Sequence, residues 1–300
     1  MSSRSTLRQL NQQLTVTLPL PGLACAMALI VLVLASCSDP GGQEPAQTSG
    51  QPVPAVAQEV EAGSGITLAP AFTAQALAAA PQDNWLTNGG SLKNLRYSPL
   101  DEISISNISQ VQAEWETHLE SGLGPQQSGQ GEPVVYEGVI YQATGQNDVF
   151  AISVASGEIL WKYTANLDEK SVLVCCGWAV RGVAIGEGKV FVGMLDARLI
   201  ALDQLTGKVL WDTRVADPAA GYAITAAPRY YNGRVFIGVA GGEYQIRGKM
   251  EAYEAQTGAL AWTFNTVPGP GEFGHDTWPD YNEAWKYGGA PIWQTPAIDP

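Results

Sequence analysis

An eleven-residue pattern that occurs three times constrains the fold more than any other feature of the sequence. Its copies span residues 151–161, 201–211 and 252–262, and each has Ala first, Gly seventh and Trp last. The small Ala permits a neighbouring sheet to approach, and the Gly favours a positive φ in the turn between two strands. The Trp offers a flat apolar surface that can cover the gap between sheets. A period of about fifty residues with such turns is typical of β-propeller blades.

Apolar runs on either side of Gly-containing turns extend the pattern into three predicted blades. They cover residues 133–161, 182–211 and 227–262, and residues 295–300 resemble the first strand of a fourth blade. Propellers contain roughly four to eight blades. We therefore predict an all-β fold, a propeller of which this chain holds about three blades and the start of a fourth.

Two local signals and the composition agree with this prediction. Residues 111–118 have the pattern of a strand that contains Trp115, and Asn232-Gly233 favours a tight hairpin. The chain has 33 Gly, 19 Pro and nine Trp, and only 15% of its residues are charged. Such a composition favours a fold of many strands and turns over a helical one.

The N-terminal 36 residues have the features of a secretory signal. Arg4 and Arg8 give a positive start, and the apolar stretch behind them ends in Leu-Ala-Ser-Cys at residues 34–37. This ending resembles the lipobox of bacterial lipoproteins, so Cys37 is the predicted lipidation site. An ordinary signal peptide and an N-terminal anchor helix are the alternatives.

The chain is thus predicted to have three parts. Residues 1–36 are the lipoprotein-type signal, residues 37–80 are a flexible tether rich in Gly, Gln, Ala, Pro and Ser, and residues 81–300 are the propeller. We expect a periplasmic protein that is lipid-anchored to a bacterial membrane. Ser38, which follows the lipidated residue, is compatible with sorting to the outer membrane.

The charge of the chain narrows the choice of partners. The formal net charge is −13. Nucleic acid is therefore an unsuitable partner, because binding to phosphates needs a basic surface. A basic electron-transfer protein would be attracted, although an acidic surface that is merely solvated gives the same composition.

Two adjacent cysteines are the most unusual chemical feature of the predicted propeller. Cys175 and Cys176 are its only cysteines, since Cys25 lies in the signal and Cys37 is the lipidation candidate. In an oxidising compartment the pair could close a strained disulfide ring, and a buried reduced pair is the alternative. Arg181 follows closely and could offer its planar fork to a carboxylate or quinone oxygen, or could be a surface charge.

Three neighbouring residues and one tryptophan are further candidates. Gly241 and Gly242 would permit close approach of the backbone to a ligand, and Glu243 could bind a hard cation such as Ca²⁺ through oxygen. The alternative is a turn that carries a solvated acid. Trp293 lies outside the repeat and could stack on a planar ligand, or simply pack. The two histidines share no metal-ligand spacing.

With these motifs in place, the chain resembles the pyrroloquinoline quinone (PQQ)-dependent alcohol dehydrogenases, quinoproteins built as eight-bladed propellers. The resemblance covers about residues 85–300. Its motifs lie at residues 85–90, 96–100, 175–181, 224–228, 241–248 and 288–293. The adjacent cysteines together with the three tryptophan repeats make the resemblance specific.

The resemblance implies a role for each candidate around the cofactor. A disulfide between Cys175 and Cys176 would cover one face of PQQ, and Trp293 would stack on the other face. Arg181 and Thr225 would hydrogen-bond the carboxylate and ring oxygens of the cofactor.

The same resemblance implies a metal and an activity. The backbone around Gly241 and Gly242 would add contacts to PQQ, and Glu243 would ligate a Ca²⁺ that polarises the reactive carbonyl. The implied reaction is oxidation of a small alcohol, with electrons passed to a cytochrome c or a membrane quinone.

The chain departs from the family pattern in two respects. At the position of a cofactor-contacting Glu, three residues before Pro133, this sequence has Gln130, and the nearby Glu132 is out of register. The catalytic Asp of the family, a metal-binding Asn and a further Arg lie beyond the third blade. We therefore expect the 300 residues alone to be inactive, as the N-terminal part of a dehydrogenase.

One function from another class shares the repeat and the lipobox. A propeller lipoprotein that acts as a scaffold in outer-membrane protein assembly would show both features but would bind no quinone. Such a scaffold has no use for the combination of adjacent cysteines, a Gly-Gly-Glu turn and a tryptophan outside the repeat. The sequence therefore favours the dehydrogenase.

Overall fold

Three four-stranded antiparallel sheets form the body of the part of the chain that the structure describes, residues 65–279 and 281–300. The structure is a computed structural model, and these residues all belong to the unit Val53–Pro300. In every sheet, strands that follow one another in sequence are also neighbours in space. Each sheet is therefore an up-and-down meander, as expected of a propeller blade.

The strands occur at the positions that the repeat predicts. A short strand β1 (Gln127–Ser128) precedes the first sheet, which contains β2 (Val134–Tyr136), β3 (Val139–Ala143), β4 (Val149–Ser153) and β5 (Ile159–Tyr163). Strand β6 (Trp178–Ala179) pairs in parallel with β1. The second sheet contains β7 (Val183–Gly186), β8 (Lys189–Gly193), β9 (Arg198–Asp203) and β10 (Val209–Arg214). The third sheet contains β11 (Arg229–Tyr231), β12 (Arg234–Gly238), β13 (Lys249–Glu254) and β14 (Leu260–Asn265).

Helical structure in the described residues is short. The α-helix α1 spans Ala74–Ala78, and Thr73 caps its N-terminus by accepting a hydrogen bond from the backbone N–H of Ala76. The 3-10 helices are Ile108–Gln110, Pro218–Ala220, Gly242–Tyr244, His275–Thr277 and Tyr281–Tyr287. The fold is therefore all-β in character, and the described residues include no helix long and apolar enough to cross a membrane.

The inner strands of the sheets carry the core. All of β8 is buried, and Leu199–Leu202 of β9 have no exposed surface, whereas β10 is exposed or half-buried along its length. Strand β7 of the second sheet contacts strands of both the first and the third sheet. Because neighbouring sheets cover both faces, these inner strands are continuously apolar rather than alternating.

The repeated Trp and Gly meet between sheets. Trp161, in the first sheet, donates from its indole Nε1 to the carbonyl oxygen of Gln204, 2.9 Å away in the second sheet. Its ring lies against Gly207, where an added Cβ would come within 2.6 Å of the ring, and Gly207 has φ +68°. The Gly therefore serves both the turn and the tryptophan, and the predicted interblade role of Trp161 is confirmed.

The same arrangement recurs on both sides of this pair. Trp211 lies against Gly258 and donates to the carbonyl oxygen three residues before it, over 3.0 Å. Trp115 lies against Gly157 in the same way and donates to the carbonyl oxygen of Val154 over 2.8 Å, although Trp115 is outside the three copies of the repeat. Trp262, the last of the repeated tryptophans, is 37% exposed.

Two predicted strands are not strands. Residues 111–118 are extended but pair with no strand among the described residues, so Trp115 docks from an irregular segment. Residues 295–300 likewise form no strand. Their backbone is joined to another backbone segment by a hydrogen bond from the N–H of Ile298 to the carbonyl oxygen of Leu92, 2.8 Å long. The sequence pattern therefore overstated both segments, whose residues are exposed or half-buried rather than buried on one side.

The predicted boundary between tether and propeller, at residue 80, is too late. Ala69, Phe72 and Leu77 are buried in the common core. The buried side chain of Gln204 accepts a hydrogen bond from the N–H of Ala69, over 2.7 Å, and donates to the carbonyl oxygen of Thr67. The signal, the lipidation site Cys37 and the tether up to residue 64 lie outside the described residues.

Candidate functional site

A cavity of about 290 Å³ contains most of the residues predicted to hold a cofactor. Its lining includes the predicted side chains of Cys175, Cys176, Arg181, Thr225, Glu243 and Trp293. Gly241 lines it as well, whereas Gly242 and Gln130 do not. Residues from distant parts of the sequence are thus brought to one place, in a volume at the lower end of the range for small-molecule sites.

All of these residues lie at one end of the strands. The cysteine pair and Arg181 lie between β5 and β7, Thr225 lies between β10 and β11, Glu243 lies between β12 and β13, and Trp293 follows β14. In an antiparallel meander these connections meet at the same edge of the sheets. The fold therefore holds the cavity with irregular segments that rigid strands position.

One wall of the cavity is a disulfide between Cys175 and Cys176, whose side chains are exposed. The segment that carries it is fixed immediately afterwards. The N–H of Trp178 donates to the carbonyl oxygen of Gln126, 2.5 Å away, and β6 pairs there with β1. Gly177 has φ +91°, and a Cβ at this position would come within 2.8 Å of the same carbonyl oxygen. The glycine is therefore required by the turn that presents the disulfide.

Arg181 supplies the positive charge of the cavity. Its guanidinium carbon lies 4.8 Å from the centre of the Trp293 ring. Its Nη1 donates to the carbonyl oxygens of Thr225, at 3.1 Å, and of Trp293, at 3.4 Å. Burial lowers the pKa of Arg181 from its ordinary value. A planar cation that is half removed from water is well suited to an anionic or quinone oxygen.

Trp293 supplies aromatic surface to the cavity and is held through its backbone. Its ring is 45% exposed. The hydroxyl Oγ1 of the buried Thr225 donates to the carbonyl oxygen of Trp293 over 3.0 Å. The structure thus gives Thr225 a contact within the protein that the sequence did not indicate, and its predicted contact to the cofactor stays a prediction.

The two glycines before Glu243 are required by packing. Gly241 has φ +116°, and an added Cβ would clash with the carbonyl oxygen of Gly221. At Gly242 a Cβ would come within 2.8 Å of Pro291. Steric fit within the protein is therefore sufficient to explain both residues, and their predicted approach to a ligand stays a prediction.

A second cavity, of about 470 Å³, lies on the other side of Arg181 and contains Gln130. Arg181 lines both cavities. Glu132, next to Gln130 in this second cavity, forms an ion pair with the Nε of Arg96 at 2.9 Å and accepts a hydrogen bond from the N–H of Gly89. The Glu132 carboxylate is thus engaged by the protein, in agreement with its being out of register with the family position.

Asn88 and Arg96 line the second cavity and had no predicted role. Asn88 holds the backbone of Arg181, because its Nδ2 donates to the carbonyl oxygen of Arg181 over 2.8 Å. The signal was available, since both residues belong to the motifs at 85–90 and 96–100 that support the family resemblance. The motifs indicated a family but not a function for these side chains.

Glu243 is the acidic side chain of the first cavity and is exposed. Across residues 65–279 and 281–300, no three His, Cys, Asp or Glu residues cluster in a way that could hold a metal ion. Calcium takes six to eight oxygen ligands as a rule. The residues described here can therefore supply a part of such a shell, with Glu243 as its charged member.

The donor set fits PQQ, a planar quinone that carries carboxylates. The disulfide and Trp293 line the cavity with apolar surface that suits a flat ring, and Arg181 would provide a cation for its acidic groups. Glu243 lines the same cavity and would provide an oxygen ligand for a cation. The structure thus brings together residues whose chemistry suits such a ligand, and their individual roles stay predictions.

The comparisons with known proteins agree with the fold and the site. The chain matches the PQQ family model described as glucose/ethanol/alcohol dehydrogenase, beta-propeller domain, over residues 85–300. It is a β-propeller quinoprotein chain. It belongs to the PQQ-dependent glucose/ethanol/alcohol dehydrogenase family, and the predicted family and propeller fold are confirmed.

The chain aligns with only a part of each curated relative. The chain is 40% identical over 227 residues to quinohemoprotein alcohol dehydrogenase ADH IIB of Pseudomonas putida, which covers 72% of this chain and 32% of the relative. It is 38% identical over 232 residues to quinoprotein alcohol dehydrogenase PedH of Pseudomonas putida, covering 72% and 38%. The chain thus spans about a third of the length of the curated relatives it matches.

Solved structures give the same result. Quinohemoprotein alcohol dehydrogenase from Comamonas testosteroni superposes with a TM-score of 0.64 at 32% identity, covering 75% of this chain and 35% of that one. A europium-containing methanol dehydrogenase superposes with a TM-score of 0.60 at 31% identity, covering 70% and 39%. Both superpositions cover most of the described residues.

Proposed function

We propose that the protein is a PQQ-dependent alcohol dehydrogenase and that this chain supplies the walls of its cofactor site. The observation that carries the proposal is the cavity in which a disulfide of adjacent cysteines and Trp293 flank the guanidinium of Arg181. Family membership and the names of the relatives support it, and favour it over the scaffold function.

In this proposal, the residues of this chain bind PQQ and hold it in a fixed orientation. Arg181 attracts the acidic groups of PQQ, and its backbone carbonyl, held by Asn88, limits how far the guanidinium can move. The disulfide and Trp293 would pack on the ring and exclude water from it, which would strengthen the contacts of Arg181. When bound, PQQ supplies a carbonyl that accepts two electrons from the alcohol.

We further propose that Glu243 binds Ca²⁺ beside the quinone. A carboxylate is the preferred kind of ligand for this hard cation, which acts as a Lewis acid on an adjacent carbonyl oxygen. Because one solved relative is described as containing europium, a trivalent lanthanide is the competing ion to test. Glu243 is suited to either ion, since both prefer oxygen ligands.

Small alcohols, a cytochrome c or quinone acceptor, and a periplasmic location complete the proposal. One relative is named 1-butanol dehydrogenase (cytochrome c). The net charge of −13 favours a basic acceptor through long-range attraction. Lipid at Cys37 would hold the protein at the membrane.

PQQ binding tests the central claim. Equilibrium dialysis of the purified protein with PQQ and Ca²⁺ is expected to retain about one PQQ per chain, and the double change Cys175→Ala, Cys176→Ala is expected to weaken binding about tenfold or more because one wall is lost. Tyr97→Phe, a conservative change at an exposed residue, is the control. A wild-type protein that retains no PQQ would contradict the proposal.

Because residues 1–300 alone are expected to be inactive, the reaction is tested by alcohol-dependent reduction of an electron-accepting dye with the protein purified from its own organism, at whatever length that organism makes. We expect dye reduction to be lost when PQQ is removed and to return when PQQ and Ca²⁺ are added. Dye reduction that needs neither addition would show that another group does the chemistry.

Lipidation of Cys37 is tested by metabolic labelling with a radioactive fatty acid. The wild-type protein is expected to take up label and to sediment with membranes, and Cys37→Ser is expected to do neither. Cys25→Ser keeps the proposed lipid site and is the matched control. Equal labelling of the wild type and the Cys37→Ser protein would argue against the assignment.

A further inference from the structure

The segment that carries Trp293 is not part of a sheet in the structure. Residues 290–300 contain no strand, and Trp293 itself is 45% exposed. Backbone hydrogen bonds hold the chain on either side of this wall, at Gly289 and at Ile298. Between these two points, the backbone of residues 293–296 is held by side chains.

Four side chains hold this backbone from the propeller, and the first is Arg181, whose Nη1 donates to the carbonyl oxygen of Trp293 over 3.4 Å. Thr225 Oγ1 donates to the carbonyl oxygen of Trp293 over 3.0 Å. Asn94 Nδ2 donates to the carbonyl oxygen of Thr295 over 2.9 Å. The Nε and Nη2 of Arg229 both donate to the carbonyl oxygen of Pro296, over 3.2 and 3.1 Å.

Arg229 is the central member of this set. It stands at the start of β11, is 1% exposed, and is among the largest fully buried side chains. Its Nη1 donates to the carbonyl oxygens of Asn88, over 2.9 Å, and of Ser91, over 3.4 Å, and its Nη2 donates to the side-chain oxygen of Asn94. One planar fork thus joins residues 88–94 to Pro296.

The chemistry of Arg229 explains why an ionised group is buried here. Its acceptors are backbone carbonyls and an amide rather than a carboxylate, and burial lowers its pKa to about 10, with the charge of Glu132 opposing this. At neutral pH the group is therefore still a cation. Five donors in fixed directions satisfy several carbonyls at once, which no other side chain can do.

We infer that Arg229 is a positioning residue for the cofactor, which sets the place of Trp293 by clamping Pro296 to residues 88–94. The inference rests on the proposed function. Residues 88–94 also include Asn88, which holds the backbone of Arg181. The clamp therefore fixes two parts of the cavity relative to each other, the aromatic wall and the cation.

Equilibrium dialysis of PQQ with the purified full chain, in Ca²⁺, tests the inference. Arg229→Met is expected to weaken PQQ binding about tenfold, because displacement of a positioned group by even a small distance is costly. Arg229→Lys keeps the charge without the fork and is expected to recover only a part of the affinity. Arg234→Met, at an exposed arginine of the neighbouring β12, is the matched control.

A double-mutant cycle separates positioning from general stability. In a Trp293→Leu background, Arg229→Met is expected to change PQQ affinity by less than about twofold, because the wall it places is gone. Should Arg229→Met fail to fold, Asn94→Ala decides in its place, since it removes the Thr295 contact and one contact of Arg229. It is expected to weaken binding, and again only when Trp293 is present.

The outcomes distinguish the inference from the function on which it rests. Unchanged PQQ affinity in Arg229→Met and Asn94→Ala, with binding by the wild type, overturns the inference alone. Equal losses with and without Trp293 overturn it too, because they show a general effect on folding. A wild-type protein that binds no PQQ overturns the proposed function and the inference together.

Discussion

At the scale of single residues, Arg181 connects the two cavities of the molecule. Its guanidinium lies over Trp293 in the first cavity, and its backbone is held by Asn88 at the edge of the second. An anion bound in either cavity would act on the same partly desolvated charge. This one side chain therefore belongs to both cavities.

Glu243 gives a prediction about the metal at this scale. Glu243→Gln keeps the size of the side chain but removes the charge, so binding of Ca²⁺ together with PQQ is expected to weaken by about tenfold or more. Isothermal titration of Ca²⁺ into the PQQ-loaded protein, repeated with a lanthanide ion, measures the effect. Glu254→Gln, whose carboxylate is engaged by Arg234, is the control. Wild-type metal affinity in Glu243→Gln would remove Glu243 from the metal site.

At the scale of elements, the contact between a tryptophan and the next glycine turn joins the sheets. Gly207 and Gly138 offer a matched pair, because both have positive φ, at +68° and +77°. A Cβ at Gly207 would come within 2.6 Å of the Trp161 ring, whereas a Cβ at Gly138 meets nothing within 4 Å. The first glycine is constrained by its turn and its neighbour, and the second by its turn alone.

Gly207→Ala is therefore expected to destabilise the protein by about 1–3 kcal/mol more than Gly138→Ala. The backbone cost is common to both changes, so the difference reports the docking contact. Urea unfolding followed by tryptophan fluorescence measures it. Equal destabilisation by the two changes would show that the sheets are joined by something other than this contact.

The sequence predicted the elements where local chemistry decides them. Asn232-Gly233 forms the expected hairpin turn between β11 and β12, with φ of +49° and +74°. The sequence-based prediction of strands was wrong at residues 111–118 and 295–300. A pattern of apolar residues indicates which side chains are suited to burial, but it cannot show whether a second strand is present to pair with. The predicted start of the propeller was too late for a related reason, since the buried Phe72 and Leu77 lie in an Ala-rich stretch with no regular apolar spacing.

The site was predictable in part for the same reason. Cys175, Cys176 and Trp293 were recognised because their residue types and spacing are unusual. Gln204 and Arg229 were not, because a buried polar residue is defined by backbone groups far away in sequence, such as Thr67 and Pro296. Nothing in their own neighbourhoods distinguishes them from residues in a turn or on a surface strand.

At the scale of the whole molecule, buried tyrosines link stability to alkaline pH. Burial raises the pKa of Tyr141 to about 12, with the hydrogen bond from Gln204 opposing this. Burial likewise raises the pKa of Tyr163 to about 12, with the charge of Arg198 opposing. The unfolded chain loses these protons near pH 10, so it gains from ionisation before the folded protein does.

The stabilisation is thus complete below pH 10 and is expected to be lost as pH rises to 12. The difference between a pKa of about 12 in the folded protein and the ordinary value of 10.0 corresponds to about 2–3 kcal/mol for each tyrosine. Denaturant unfolding at a series of pH values should show a shallower decline for Tyr141→Phe than for the wild type, and no such change for Tyr97→Phe, an exposed residue. Identical pH slopes in all three proteins would contradict this account.

The cavity and the docking turns occupy opposite ends of the strands. Residues 174–181, 225 and 240–243 follow or precede the strands at one end, whereas Gly157, Gly207 and Gly258 lie in the turns at the other. Substitutions in the first set, other than at Gly177, Gly241 and Gly242, can therefore accumulate without disturbing the second set. Divergence among descendants of such a chain would alter what enters the cavity while the joints between sheets persist, so substrate preference and stability can evolve as separate traits.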